Sequence, residues 1–272
     1  MKSQHFSKLV ALVAGALAAI ALAAPVASAQ TPAEGYEQFR GCPTVEQNEK
    51  TIACVASEIS GGHFQMGNKD VPITNPITIT GGAEAGLKGF AFNSEGGMSE
   101  SPQKVPGGVI GLTGLTWLLE FLGSEALTLY AVTEAVGLPT LGFTALSLPI
   151  RVHMVNPILG NSCYIGSPAN PITLNLITGT TSPPPPNEPI KGEGPFLSND
   201  FETGIATVEG IYVDNSFSAP GANGCKLVLF GFIPIGIDGL VNAASELPAA
   251  AGTNETIQEI TTEIAPRTKV YP

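Results

Sequence analysis

The chain has 272 residues, a formal net charge of −11 and a charged fraction of 13%, which is about half the share in an average soluble domain. Apolar residues make up 43% of the chain, so intrinsic disorder is excluded, because a disordered chain lacks the apolar surface needed to build a core. The acidic balance also excludes electrostatic attraction to nucleic acid or to anionic lipid.

Glycine and proline are unusually frequent, with 32 Gly and 23 Pro. Together with a large apolar fraction, this composition is typical of many short strands joined by Gly/Pro turns. We therefore predict a mainly β protein: an antiparallel β-sandwich or barrel-like domain with one or two short helices, held together by disulfides.

The first 29 residues have the pattern of a secretory signal peptide. Lys2 and Lys8 form a basic segment, an uncharged apolar run follows over 9–24, and Ala27-Ser28-Ala29 matches an A-x-A cleavage site. The alternative, a retained membrane anchor, is disfavoured because the run is shorter than the ~20 residues that a spanning helix needs and no basic stop-transfer cluster follows it.

The sequence thus predicts export by the Sec route, an extracellular location, and a mature chain that begins near Gln30 and has no transmembrane span. Loss of the two lysines of the signal peptide changes the net charge from −11 to −13. We divide the mature chain into a leader with a short disulfide loop over 30–60 and a single β-rich secreted domain over 61–272.

Four cysteines follow the signal segment: Cys42, Cys54, Cys163 and Cys225. An even number in an exported protein indicates two disulfides, for which three pairings are possible. We favour Cys42–Cys54 as a short local loop and Cys163–Cys225 as a long cross-link. A zinc site is the weaker alternative, because no C-x-x-C spacing occurs and histidine is scarce.

Alternation of apolar and polar residues predicts strands over 77–80, 127–133, 146–154 and 172–176. Pro149 places the third of these at a sheet edge or breaks it, because proline cannot donate to a ladder.

The C-terminal part gives a more mixed pattern. One or two strands are predicted over 201–213 and another over 226–235. Asp238 is predicted to be the N-cap of a short helix that has Leu240, Ala244 and Leu247 on one face and is stopped by Pro248. The segment 255–264 fits a helix or a strand, and 269–271 is predicted as a final strand.

The segment 105–150 is nearly free of charge, with only three acids and no basic residue between Lys104 and Arg151. A short helix is predicted over 115–122, ending at Gly123. The segment is either a lipid-binding hairpin or a core segment covered by the rest of the domain. Its Gly and Glu interruptions, and the absence of a basic interfacial face, favour the core interpretation.

Catalytic signatures are absent from the sequence. Only His63 and His153 follow the signal, and neither G-x-S-x-G nor H-E-x-x-H occurs; we interpret both histidines as solvated.

Four acids at 200–214 could supply a carboxylate pair for glycoside hydrolysis: Asp200, Glu202, Glu209 and Asp214. Asn254-Glu255-Thr256 matches a glycosylation sequon. No catalytic, cofactor-binding or metal-binding residue is predicted, and the sequence leans against an enzyme without deciding the question.

Two sequence blocks resemble exported proteins of high-GC Gram-positive bacteria. The first runs over 155–167 and continues with Asn-Pro-Ile at 170–172 and Thr-Gly-Thr-Thr-Ser-Pro-Pro at 178–184; the second is Leu-Tyr-Ala-Val-Thr-Glu at 129–134. The chain is similar in these blocks to a group of actinobacterial secreted proteins with no assigned activity. The resemblance implies secretion and transfers no catalytic residue.

Three functional hypotheses follow from the sequence. The first is a secreted, non-catalytic extracellular or envelope-associated β domain, whose partner is a cell-envelope component, a protein or an apolar ligand. The second is an extracellular carrier of a lipid or small apolar ligand that uses residues 105–150. The third is a secreted hydrolase based on the acids at 200–214. None of the three requires a cofactor.

Overall fold

The computed structural model describes residues 30–85, 89–118, 125–229 and 232–272. These residues are mainly β and include an antiparallel curled sheet, three short α-helices and two disulfides. The predicted fold class is therefore confirmed. The predicted signal peptide, residues 1–29, lies outside the described residues.

Seventeen strands occur in the described part of the chain. In chain order they are β1 Thr51–Met66, β2 Lys69–Pro72, β3 Ile77–Glu84, β4 Phe90–Ala91, β5 Gly97–Met98, β6 Gln103–Lys104, β7 Tyr130–Ala135, β8 Thr140–Leu141, β9 Ala145–Val155, β10 Tyr164–Ile165, β11 Ile172–Ile177, β12 Glu193–Asp200, β13 Ile205–Asp214, β14 Ala222–Asn223, β15 Lys226–Leu229, β16 Ile233–Gly236 and β17 Glu255–Pro266. The same residues include α1 Gly108–Thr113, α2 Asp238–Ser245 and α3 Arg267–Val270, and 3-10 helices at Glu37–Phe39, Glu125–Leu127 and Pro157–Leu159.

One large sheet contains fifteen of these strands. Its hydrogen-bonded order is β14-β10-β9-β11-β13-β17-β1-β3-β4. Six further strands attach to this path: β12 to β13, β2 to β1, β5 to β3, β7 and β8 to β9, and β6 to β7. β15 and β16 form a separate hairpin. The pairs are antiparallel, which suits short connections between neighbouring strands.

The inner face of the curled sheet holds the main core. In β9 the side chains alternate between buried and partly exposed along the strand, as period-2 geometry requires. β11 alternates in the same way and pairs with β9 in register. The strands predicted at 146–154 and 172–176 are therefore confirmed. Their buried side chains are Leu146, Leu148, Ile150, Val152, Met154, Ile172, Leu174 and Leu176.

Pro149 does not mark an edge or a break, so that prediction is wrong. β9 runs unbroken through it and has neighbours on both sides. Val136 N donates to Pro149 O at 3.0 Å, which shows that the backbone of Pro149 faces the side of β7 and β8. The partner changes from β7 to β8 at this point, so the N–H that proline lacks is not needed in either ladder.

The described part of 105–150 contributes mainly to the core. Val109, Leu112, Leu127, Leu129 and Leu148 are at most 3% exposed. The strand predicted at 127–133 begins later, at Tyr130, because a 3-10 turn occupies the preceding residues. Most of the helix predicted over 115–122 lies outside the described residues. α1, which precedes it, was not predicted because glycine is unfavourable in helices.

The helix predicted from Asp238 is confirmed as α2, but its buried face differs. Leu240 is 45% exposed and Val241 is fully buried. Asp238 is also not the N-cap: it is the first helical residue. Its Oδ1 accepts a hydrogen bond from Cys225 N at 2.7 Å, so its carboxylate ties the helix to the start of β15.

Two further C-terminal predictions are corrected. The single strand over 226–235 is a hairpin of β15 and β16, because an alternating pattern does not reveal where a chain reverses. The strand at 269–271 is replaced by α3, which follows Pro266 at the end of β17. The ambiguous segment 255–264 is a strand, β17, which pairs with both β1 and β13.

The leader packs against the sheet and forms a second, smaller core. The Cys42–Cys54 disulfide lies in this core with Phe39, Val270 and Tyr271. Tyr271 Oη donates to Cys42 O at 3.1 Å, which joins the C-terminus to the leader. β1 runs through the boundary predicted at residue 60, and Thr31–Pro272 forms one compact unit.

The second disulfide joins Cys163 to Cys225 across a sequence separation of 62. Cys163 precedes β10 and Cys225 precedes β15, so the bond links the end of the main sheet to the segment that carries α2. Both disulfides have the pairing that the sequence favours.

We expect the two disulfides to differ in their contribution to stability. Cross-links that close longer loops remove more entropy from the unfolded chain. Replacing Cys163 and Cys225 by alanine should lower the free energy of unfolding by about 4 kcal/mol, and replacing Cys42 and Cys54 by about 3 kcal/mol. Guanidinium unfolding of the two double variants measures this, and a larger loss for the short loop would contradict it.

Candidate ligand-binding site

The curled sheet stops short of closing between β5 and β7. β5 pairs with β3 through Ile79 and Thr80, and β7 pairs with β9 along its whole length. On its other side β7 meets β6 only at its first two residues. No pairing joins β5 to β7 within the described residues. An open seam therefore runs along β7 from Val132 to Ala135.

An apolar groove lies over this seam, and we call it the seam groove. Its volume is about 480 Å³, which falls within the range of about 300–1,000 Å³ found for ligand sites. Phe92 is 47% exposed and Leu138 is 56% exposed, so the wall of the groove is accessible from solvent. Its apolar side chains include Ile79, Phe90, Phe92, Met98, Leu138 and Leu148.

The charges at the seam groove are acidic. Glu100 and Glu134 line it, and none of its described lining residues is basic. Arg151 Nη2 lies 2.6 Å from Glu134 Oε2, so this carboxylate is neutralised by an ion pair. Glu100 forms no ion pair among the described residues. A cationic group can therefore pair with Glu100, whereas an anionic group finds no basic partner among the described lining residues.

A cluster of cross-strand contacts fixes Arg151 on the outer face of the sheet. The Arg151 guanidinium carbon lies 4.2 Å from the centre of the Tyr164 ring, a distance suited to cation–π attraction. His153 stacks on the same ring with 4.3 Å between centroids. These contacts hold β7, β9 and β10 together beside the seam.

A second void, which we call the interior cavity, lies next to the seam groove on the core side. Met98, Thr133 and Leu148 line both voids. The interior cavity has a volume of about 50 Å³, which is room for about four water molecules. Its wall is apolar except for Thr133 and two glutamines, Gln103 and Gln258.

A third void of about 40 Å³ lies farther along the same strands, toward Val55 and Leu146. Tyr212 lines it and donates a hydrogen bond from its hydroxyl to Phe143 O at 2.9 Å. Burial raises the pKa of Tyr212 above its ordinary value, so this side chain is neutral at physiological pH. The interior of the sheet thus contains more than one unfilled space.

The two histidines are not the solvated residues that the sequence predicts. His63 Nδ1 lies 2.9 Å from Asp70 Oδ1, and His63 Nε2 lies 3.5 Å from Glu255 Oε1. His153 Nδ1 lies 3.5 Å from Glu134 Oε1, and its Nε2 is buried without a partner. The Asp70 contact is local, because β1 and β2 form a hairpin around the turn at 67–68. Glu255 and Glu134 are brought to the histidines by pairing with strands farther along the chain, for which no local sequence signal exists.

The four acids at 200–214 do not converge. Asp200 lies opposite Ile205 at the start of β13, and Asp214 ends that strand, so roughly 30 Å separates them at ~3.4 Å per residue. Asp214 is buried and accepts hydrogen bonds from Asn175 N and Ser216 N. A backbone hydrogen bond from Glu202 holds the pKa of Asp200 below its ordinary value. Asp200 and Asp214 are therefore too far apart to act as the carboxylate pair of a glycoside hydrolase.

The glycosylation sequon is enclosed by the fold. Asn254 and Thr256 are both fully buried. Asn254 donates to Phe217 O and Ala250 O and accepts from Gly67 N. Its amide is therefore a structural link, and an oligosaccharide could not be attached to the folded chain without disrupting these bonds.

Comparison of the chain with protein-family models, with curated proteins and with solved structures found no match. Among the helices of the described segments, none is long and apolar enough to cross a membrane.

We expect Glu134 and Arg151 to stabilise the protein as a pair. Their side chains are only 23% and 30% exposed, so removal of either partner leaves a partly buried charge. Arg151→Met and Glu134→Gln should each destabilise the fold, and the double variant should lose less than the sum. A double-mutant cycle from urea unfolding should give a coupling free energy of about 1–2 kcal/mol; strict additivity would contradict the pairing.

Proposed function

We propose that the protein is a secreted, non-catalytic β domain that binds a small apolar ligand in the seam groove and carries it outside the cell. The observation that carries the proposal is an accessible apolar groove that lies beside a cavity inside the sheet, with Met98, Thr133 and Leu148 lining both. A groove of this size and polarity suits a small molecule with a slender apolar body.

The charges of the groove support a restriction on the ligand. Glu134 is already neutralised by Arg151, and Glu100 remains available at the rim. Among the described lining residues, an anionic headgroup would meet an unneutralised carboxylate and no basic side chain. A neutral or cationic headgroup avoids this repulsion. The proposed ligand is therefore a neutral or cationic amphiphile, and free fatty acids are disfavoured.

The extracellular location is supported by the signal-like first 29 residues and by the two disulfides, since disulfides persist mainly in oxidising compartments. The non-catalytic assignment is supported by the arrangement of the titratable groups. The acids at 200–214 do not converge, and both ring nitrogens of His63 face carboxylates.

Three eight-carbon probes that differ only in the headgroup test the proposal: octanol, octylamine and octanoate. Titration calorimetry on the mature chain should show saturable binding of octanol and octylamine, and at least about tenfold weaker binding of octanoate because of like-charge repulsion. NMR should place the bound chain next to the methyl groups of Met98 and Leu148. Absence of saturable binding of all three probes would contradict the proposal.

A matched pair of variants locates the site. Leu138 lies in the groove and is 56% exposed, whereas Leu197 lies on β12, away from it, and is 60% exposed. Leu138→Lys should weaken octanol binding about tenfold and strengthen octanoate binding, while Leu197→Lys should change neither. Equal effects of the two substitutions would show that the probes do not occupy the seam groove.

A further inference from the structure

We infer that the interior cavity receives the polar end of the ligand and that Gln258 accepts a hydrogen bond from this end; this inference rests on the proposed function. The ligands expected to fill both voids are slender apolar molecules that end in a neutral hydrogen-bond donor, such as a primary alcohol.

Gln258 carries an unused acceptor in an apolar wall. The residue is 4% exposed and lines the interior cavity, and its buried Oε1 has no hydrogen-bond partner among the described residues. A buried amide oxygen that lacks a partner is unfavourable because nothing replaces its hydration, and such groups are rare in folded proteins. A donor in the cavity would remove this cost.

The orientation of the Gln258 amide is fixed by its neighbours. Thr256 Oγ1 lies 2.8 Å from His63 O, a carbonyl that can only accept, so the threonine hydroxyl uses its proton there. Gln258 Nε2 lies 3.2 Å from the same Thr256 Oγ1, which must then act as acceptor. The NH₂ group of Gln258 is therefore turned toward Thr256, and Oε1 is the atom left free.

Gln103, the other glutamine in the cavity wall, has a side-chain amide whose donors and acceptor are all hydrogen-bonded. Gln103 Oε1 accepts from Thr74 N and Asn75 N, and its Nε2 donates to Asn75 O and Ser101 O. Gln103 is 4% exposed, as Gln258 is, yet it has no free capacity toward a ligand. The two residues thus have different roles: Gln103 fixes a loop and Gln258 offers an acceptor.

The sizes of the two neighbouring voids define how the ligand lies, and a ligand that occupies both must pass between the side chains of Met98, Thr133 and Leu148. About 50 Å³ in the interior cavity accommodates a terminal group of a few atoms, and about 480 Å³ in the seam groove accommodates the rest. A charged end would lose its hydration in the cavity at high cost. The buried end is therefore neutral, and cationic amphiphiles bind with their charge at Glu100 instead.

A pair of isosteric probes tests this inference: hexan-1-ol and methyl pentyl ether. They have the same number of non-hydrogen atoms, but only the alcohol can donate. The unmodified mature chain should bind the alcohol about tenfold more tightly than the ether. Gln258→Met, which keeps the length of the side chain and removes the acceptor, should abolish the preference. Gln38→Met, on the exposed leader, is the control and should leave the preference unchanged.

The outcomes separate the two proposals. Equal affinities of the unmodified chain for alcohol and ether would overturn the role of Gln258 and leave the groove as a binding site. A crystal structure with hexanol in the groove, but with Gln258 Oε1 bonded only to a buried water, would overturn it as well. Absence of binding by both probes would overturn the proposed function together with this inference. The comparison of the two probes stands even where Gln258→Met fails to fold.

Discussion

Between β5 and β7 the sheet lacks a hydrogen-bonded ladder, and the other features of the site depend on this gap. Val136 N donates to Pro149 O, so by alternation the N–H groups of Val132 and Glu134 also face β9, while those of Thr133 and Ala135 face the seam. Edges of this kind are usually paired or covered. Here they border an apolar groove, which leaves the inner face of the sheet accessible from outside.

Contacts around the seam stabilise the neighbouring strands although the seam itself is unpaired. Arg151 binds Glu134 across β7 and β9 and is itself held by Tyr164, so the edge strand beside the seam is fixed to its inner neighbour. The two disulfides act farther away: one secures the leader and the C-terminus, and the other secures the segment of α2. The strands around the interior are therefore held in place by these contacts. The interior nevertheless contains unfilled space, which a well-packed core would not.

Local pattern was sufficient for part of this structure. Alternation identified β9 and β11, and the number and spacing of the cysteines favoured the disulfide pairing that the structure has. The seam could not be predicted, because it arises from strands that are distant in sequence and fail to pair. Gln258 illustrates the same limit: its segment fits a helix or a strand equally well in sequence, and its free oxygen exists only through the hydrogen bonds of Thr256. The prediction that Pro149 marks an edge or a break was wrong because proline disrupts a ladder only where its missing N–H would have been used.

Amide hydrogen exchange along β7, resolved by residue with NMR, tests the open seam most directly. The open seam predicts that the amides of Thr133 and Ala135 exchange at least about a hundredfold faster than those of Glu134 and Val136, although all four lie in one short segment. It also predicts that an alcohol bound in the groove slows the exchange of Thr133 and Ala135. Equal protection of the four amides in the free protein would show that the sheet is closed at this point and would contradict the account.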